Sequence, residues 1–208
     1  MNRLLLFPLH LVLFPNVPLP LHIFEERYRL LINRCIEEEQ PFGVVYHRGE
    51  SIKEVGCSAV IEKVIKRYDD GRMDILAIGQ ERFAIDSIDK SGLYLEANVH
   101  YLGEDIAGDD GNLSERAVSE LLKYAFYAEI ELDREALAAL TVNQLSFLIA
   151  GLDVFGMDTK QEILEIEQAE PRLSRSVEEL ARANERLVTA ARIKGALDQE
   201  VDIDSLLN

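Results

Sequence analysis

The chain has 208 residues, 48% hydrophobic and 29% charged, the balance of a folded soluble protein rather than a disordered or membrane-embedded one. Its formal net charge of −16 repels phosphate backbones and anionic headgroups, which disfavours nucleic acid and membrane surfaces as partners. The acidity is uneven: residues 1–103 carry 12 Lys and Arg against 15 Asp and Glu, and the remainder carries 10 against 23.

The apolar start, Leu4 to Leu13, is broken by Pro8 and His10, and Pro15 follows without a small-residue cleavage site. It therefore reads as mature structure rather than a signal peptide. No later stretch approaches the roughly 20 apolar residues of a membrane helix, and a cytoplasmic protein is expected. Pro15, Pro18 and Pro20 restrict the backbone and remove donors, which predicts a stiff loop between a first strand and a first helix. That helix is predicted over Ile23 to Glu39, with Phe24, Tyr28, Leu31, Ile32, Cys35 and Ile36 on one buried face. At 100° per residue, Leu30 falls on the opposite side among Glu26, Arg27, Asn33 and Arg34, where it has no core to enter.

Val44 to Tyr46 reads as a strand. Val60, Ile61, Val64, Ile65 and Tyr68 have helical spacing, but they are mostly β-branched and run into Asp69-Asp70-Gly71, so a strand is predicted. Met73 to Ile78 then pairs with it as a hairpin. A turn at Lys90-Ser91-Gly92 leads to the alternating strand Leu93 to Tyr101. The run GEDIAGDDGNLS, from Gly103, combines glycine and acidic residues without apolar periodicity and marks a seam, giving domains 1–103 and 104–208. Beyond it helices are expected: one over Glu115 to Ile130, others after capping patterns at Thr141 and Asp158, and a long last helix capped by Ser176.

The chemistry-bearing patterns are sparse. The sequence contains no GxxxxGK[ST] phosphate loop, no H-E-x-x-H and no G-x-S-x-G elbow. His10, His22, His47 and His100 are scattered and read as partly exposed strand or turn residues. His22 and Glu26, four apart, are too few for a metal site. Cys35 and Cys57 read as buried small hydrophobes, and the carboxylate runs Glu37-Glu38-Glu39 and Asp69-Asp70 as solvated surface. No catalytic residue, cofactor or metal is assigned.

The opening FPLHLVLFPNVPLPLHIFEERY, Phe7 to Tyr28, resembles the start of the Lon protease amino-terminal domain, with its F-P and P-L-x-I-F-E-x-R-Y pattern. The resemblance continues through Gly56 to Ile61, Asp70-Gly71-Arg72, Gly79 to Phe83, Leu145 to Leu152, Lys160 to Glu165 and Arg172-Leu173. It implies an α+β protein: a β-rich, PUA-like pseudobarrel lobe followed by an α-helical bundle. It also implies a non-catalytic module that recognises unfolded or exposed apolar segments of other proteins, linked to proteolysis through a protease or chaperone. The 208 residues hold no counterpart of the ATPase or Ser-Lys protease modules of full-length Lon, so a stand-alone member is expected and unfolding and cleavage are not carried over. Candidate peptide contacts are Leu30 with Glu26, Arg27 and Arg34, and the loop residues Leu13, Phe14, Val17 and Leu19. The alternatives are that Leu30 packs on the helical half or on a second copy and that the four loop residues belong to the core. RNA binding, common among PUA-like lobes, is the alternative, and the acidity argues against it. A homo-oligomer stays open.

Overall fold

Four consecutive apolar residues, Leu4 to Phe7, suit a strand with no wet face. In the structure, a computed structural model describing residues 2–49, 51–103 and 111–206 (side chains through 193), they are all buried. They belong to β1 (Asn2–Leu9), whose alternation sends Leu5 and Phe7 into one core cluster and Leu4 and Leu6 into another. β1 pairs antiparallel with β7 (Leu95–Tyr101) and parallel with β3 (Phe42–Arg48). β7 pairs with β6 (Met73–Asp89), β6 with β5 (Val55–Arg67), and β5 with β3. The order β1-β7-β6-β5-β3 therefore returns to β1, closing the sheet. Closure removes free edges along most of the ladder.

Two further strands complete the sheet of seven: β4 (Ser51–Ile52) beside β3, and β2 (Pro18–Ile23) along the first part of β6. β2 corrects the expectation of a loop throughout. The Gly79 amide donates to the Val17 carbonyl at 3.0 Å, so by alternation residues 19, 21 and 23 face β6, and the donor-free Pro18 and Pro20 face away from it. The tight point is Gly79, where a Cβ would lie 2.2 Å from the Phe14 carbonyl oxygen. Only glycine lets the segment before β2 cross β6 so closely.

β5 and β6 form the expected hairpin, turning at Tyr68 to Arg72 with Gly71 at φ +84°. The helix-like spacing in β5 has a physical cause: register shifts between Ile61 and Lys63, and between Val64 and Lys66, interrupt the two-residue alternation. Leu93 precedes β7 and is exposed, so the alternation begins at Leu95. The first helix, α1 (Glu26–Glu37), buries Leu31, Ile32 and Cys35 in the cluster that holds Leu5, Phe7, Phe42 and Ile75. It is shorter than predicted because Ile23 belongs to β2, and Phe24, outside the helix, is exposed rather than buried.

The chain divides into two compact units, one formed by Met1–Asp105 with Phe155–Glu167 and the other by Ile106–Val154 with Gln168–Asn208. The sequence-based seam at 103/104 falls on the 104–110 stretch, which lies outside the described residues. The split differs from that expectation by a whole helix. In the second unit, in chain order, are α2 (Asn112–Ala128), α3 (Arg134–Ala138) and α4 (Val142–Ala150); α5 (Met157–Glu165) belongs to the first unit, and α6 (Ala169–Leu206) to the second. α5 packs on β5, with the Gln161 amide donating to the Val55 carbonyl at 3.0 Å. Its end is held by Arg82, 4% exposed, whose guanidinium donates to the carbonyls of Leu164, Ile166 and Glu167 at 3.0, 2.8 and 3.0 Å.

Within the second unit, α4 begins with the predicted capping box, Thr141 and Gln144 bonding reciprocally. The other two caps are not formed. Gly156, not Asp158, precedes α5, and Ser176 lies inside α6, donating back to the Arg172 carbonyl. Arg172 is fully buried among α4 side chains: it donates to Ser146 Oγ and Asn143 Oδ1, and its guanidinium lies 4.2 Å from the Phe147 ring centre.

Candidate functional site

Where β1 ends, β2 ends and α1 begins, the first unit carries a pocket of about 280 Å³. Phe7, Leu9, Leu21 and Ile23 supply apolar walls, Phe24 and Tyr28 aromatic ones, and His10, His22, His47, Glu25 and Arg27 the polar ones. Phe7 and Tyr28 stack with centroids 4.1 Å apart. Arg27 lies over the Tyr28 ring, its Cζ 4.5 Å from the centroid, and pairs with Glu25 at 2.9 Å. Burial of the Tyr28 phenol raises its pKa, opposed by the nearby Arg27 charge.

Phe24 is the unusual member, 61% exposed. Its position follows from the helix start: Glu25 is the N-cap in extended conformation, φ −71° and ψ 136°, so Phe24 precedes the helical turn that buries Leu31 and Ile32. A large aromatic side chain open to water beside a mostly apolar hollow is what a binding surface requires.

The histidines follow from the strands. Parallel register pairs Leu9 with Tyr46, so the next residues, His10 and His47, meet with ring centroids 4.0 Å apart. His22, in β2, bonds Asp74 at 2.5 Å, and the Tyr68 hydroxyl donates to the same carboxylate at 2.8 Å. These bonds, that of His22 first, lower the pKa of Asp74. His22 and Glu26, four apart in sequence, do not share a helix face, since His22 is in β2 and Glu26 begins α1. Among the described residues no group of three or more His, Cys, Asp or Glu could hold a metal ion.

The candidates from sequence separate into two groups. Leu13, Phe14 and Leu19 are core residues, at most 7% exposed, and Val17 packs against the same cluster. Of their two readings, displayed contact and core, the burial fits the core one, because pairing of β2 with β6 draws the segment inward. Leu30 is 46% exposed, as its angular position required, with Glu26 and Arg27 also at the surface. Arg34 is half-buried and engaged by Glu38, Tyr94 and Glu96; the bonds to Tyr94 and Glu38 raise its pKa. Arg27 belongs both to this helix face and to the pocket. Sequence reasoning missed Phe24 by extending the helix over it, and missed the His10–His47 pair because nothing local encodes the register of β1 and β3.

The sequence pattern of the ATP-dependent protease La (LON) substrate-binding domain matches residues 3–182. The chain belongs to the Lon substrate-binding domain family. It is 28% identical to Lon protease 2 of Syntrophobacter fumaroxidans, across 97% of this chain and 27% of that protein. Against the Lon protease of Anaeromyxobacter dehalogenans it is 27% identical, across 91% of this chain and 24% of the relative. The chain thus spans about a quarter of the length of these curated relatives. Among solved structures, the fold is shared with the N-terminal domain of Mycobacterium avium complex Lon protease, at TM-score 0.73 and 17% identity, covering 86% of this chain and 98% of that one. The Lon N-terminal domain protein from Xanthomonas campestris has TM-score 0.66 and 21% identity, with coverages of 84% and 96%. The family supports a substrate-recognition role in proteolysis. In this member the pocket lies within the opening stretch, Phe7 to Tyr28, apart from His47.

Proposed function

We propose that the chain is a non-catalytic module that binds exposed apolar segments of other proteins, in the service of proteolysis. The observation that carries this reading is Phe24, open to water at the rim of an apolar-walled pocket of about 280 Å³. A pocket of that size accepts one large apolar side chain of a bound segment. Leu30, with Glu26, Arg27 and Arg34 around it, offers a second, weaker contact along α1.

The test uses a reduced, carboxymethylated globular protein as a permanently unfolded probe, with its native form as control. Binding is followed by fluorescence polarisation for the native chain, Phe24→Asp and Leu30→Asp, with circular dichroism to establish folding. Losing burial of one large side chain weakens binding about 10-fold or more. Phe24→Asp is expected to show that loss and Leu30→Asp a smaller one. Absence of binding by the native chain, or equal binding by folded Phe24→Asp, refutes the reading.

A further inference from the structure

We propose that the pocket selects apolar segments that carry a carboxylate beside the apolar anchor, and that the His10–His47 pair is what receives it. This rests on the reading of the pocket as a segment-binding site. The charged and titratable groups facing the pocket are His10, His22, Glu25, Arg27, Tyr28 and His47. Glu25 is held by Arg27 at 2.9 Å, and His22 by Asp74 at 2.5 Å. Next to His47 on β3, Arg48 is held by Asp158 at 2.6 Å.

Among the described residues, no carboxylate pairs with His10 or His47, whose rings lie 4.0 Å apart. Each imidazole can present a ring nitrogen, although His47 Nδ1 lies 3.2 Å from the Gly49 carbonyl oxygen, which occupies that atom. An anion placed against an imidazole favours its protonated form. The one carboxylate among the pocket-lining residues, Glu25, is held by Arg27, which leaves the His10–His47 side of the pocket complementary to an acidic side chain. The anchor occupies the apolar wall at Phe24 and Tyr28, and the adjacent Asp or Glu of the bound segment reaches the pair.

Imidazole titrates near neutrality, so the preference follows pH. Binding of the carboxylate stabilises the protonated pair and strengthens as pH falls from 8 to 6. A rise of about one pKa unit on binding corresponds to a gain of about fivefold over that interval.

The probes are two fluorescein-labelled nine-residue peptides, identical except that a central Phe is flanked by Asp in one and Asn in the other. Affinities are measured at pH 6 and pH 8 for the native chain and for His10→Gln, His47→Gln and Phe24→Asp, each shown to be folded. The expected result is that the Asp peptide gains about fivefold at pH 6 over pH 8, the Asn peptide does not, and both His variants abolish the gain while still binding the Asn peptide. Equal pH response of the two peptides, with binding that still depends on Phe24, overturns this inference and leaves the general reading standing. A gain that persists in both His variants overturns the assignment to the pair. Failure of both peptides to bind at either pH overturns the inference together with the reading beneath it.

Discussion

Arg82→Met tests the idea that one buried cation fastens α5 to the β-rich unit. The guanidinium is 4% exposed and reaches the Leu164 carbonyl in the last turn of α5 and the Ile166 and Glu167 carbonyls just beyond it, at 2.8 to 3.0 Å. Hydrogen bonds to a charged donor contribute about 1.5–3 kcal/mol each. Three of them give about 4.5–9 kcal/mol gross by that scale, offset by several kcal/mol of guanidinium desolvation that methionine avoids. The expected net loss is about 3–5 kcal/mol. Urea unfolding reads the global term, and hydrogen exchange by mass spectrometry over residues 157–167 reads the local one. Arg82→Lys, which keeps the charge without the planar fork, is expected to fall between. A loss below about 1 kcal/mol, with the α5 amides as protected as in the native chain, refutes the reasoning.

Gly79→Ala forces a methyl to within 2.2 Å of the Phe14 carbonyl, and a loss of about 2 kcal/mol or more is expected in urea unfolding. Thr141→Ala removes half of the α4 capping box and is expected to cost about 1 kcal/mol, measured in the same way. Burial pushes the Cys35 thiol up to about 11 and the Cys57 thiol up to about 12, so iodoacetamide at pH 8 is expected to label neither in the folded chain and both in urea. Asp74, held below its ordinary value of 3.8 by His22 and then Tyr68, stabilises the fold above that value. This stabilisation is lost as pH falls through the lowered one. The difference in melting temperature between the native chain and Asp74→Asn is therefore expected to be full above about pH 5 and to shrink below pH 4.

Local signals were the legible ones. The Thr141 capping box, the Asp69-Asp70-Gly71 turn and the amphipathic face of α1 each depend on residues within a few positions, and the structure contains all three. Distant pairing was not legible. Pro18 and Pro20 read as a loop because nothing nearby announces that β6 lies alongside, with Leu19, Leu21 and Ile23 turned toward it. α5 has the composition of any surface helix, yet Arg82, more than seventy residues earlier in the chain, assigns it to the β-rich unit. The same limit divides the site: the exposure of Leu30 could be read from helix angles, whereas the meeting of His10 and His47 required the register of two strands.

That division bears on how the surface is kept available. The residues that fix the opening stretch, Leu13, Phe14 and Leu19, are spent on the core, and Gly79 locks their crossing against β6. Phe24 stands at the change from extended strand to helix, where Glu25 has extended backbone and its successor begins the helix. Its exposure is therefore set by backbone geometry on both sides, not by a mobile loop that could fold the ring away. Collapse of Phe24 into the core would require moving either Ile23, 1% exposed, or the first turn of a helix whose Leu31 and Ile32 are fully buried. Each such move would expose a large side chain worth about 1.5–3 kcal/mol when buried. The fold thus keeps the Phe24 ring in water, and the apolar wall beside it is ready for a ligand without rearrangement.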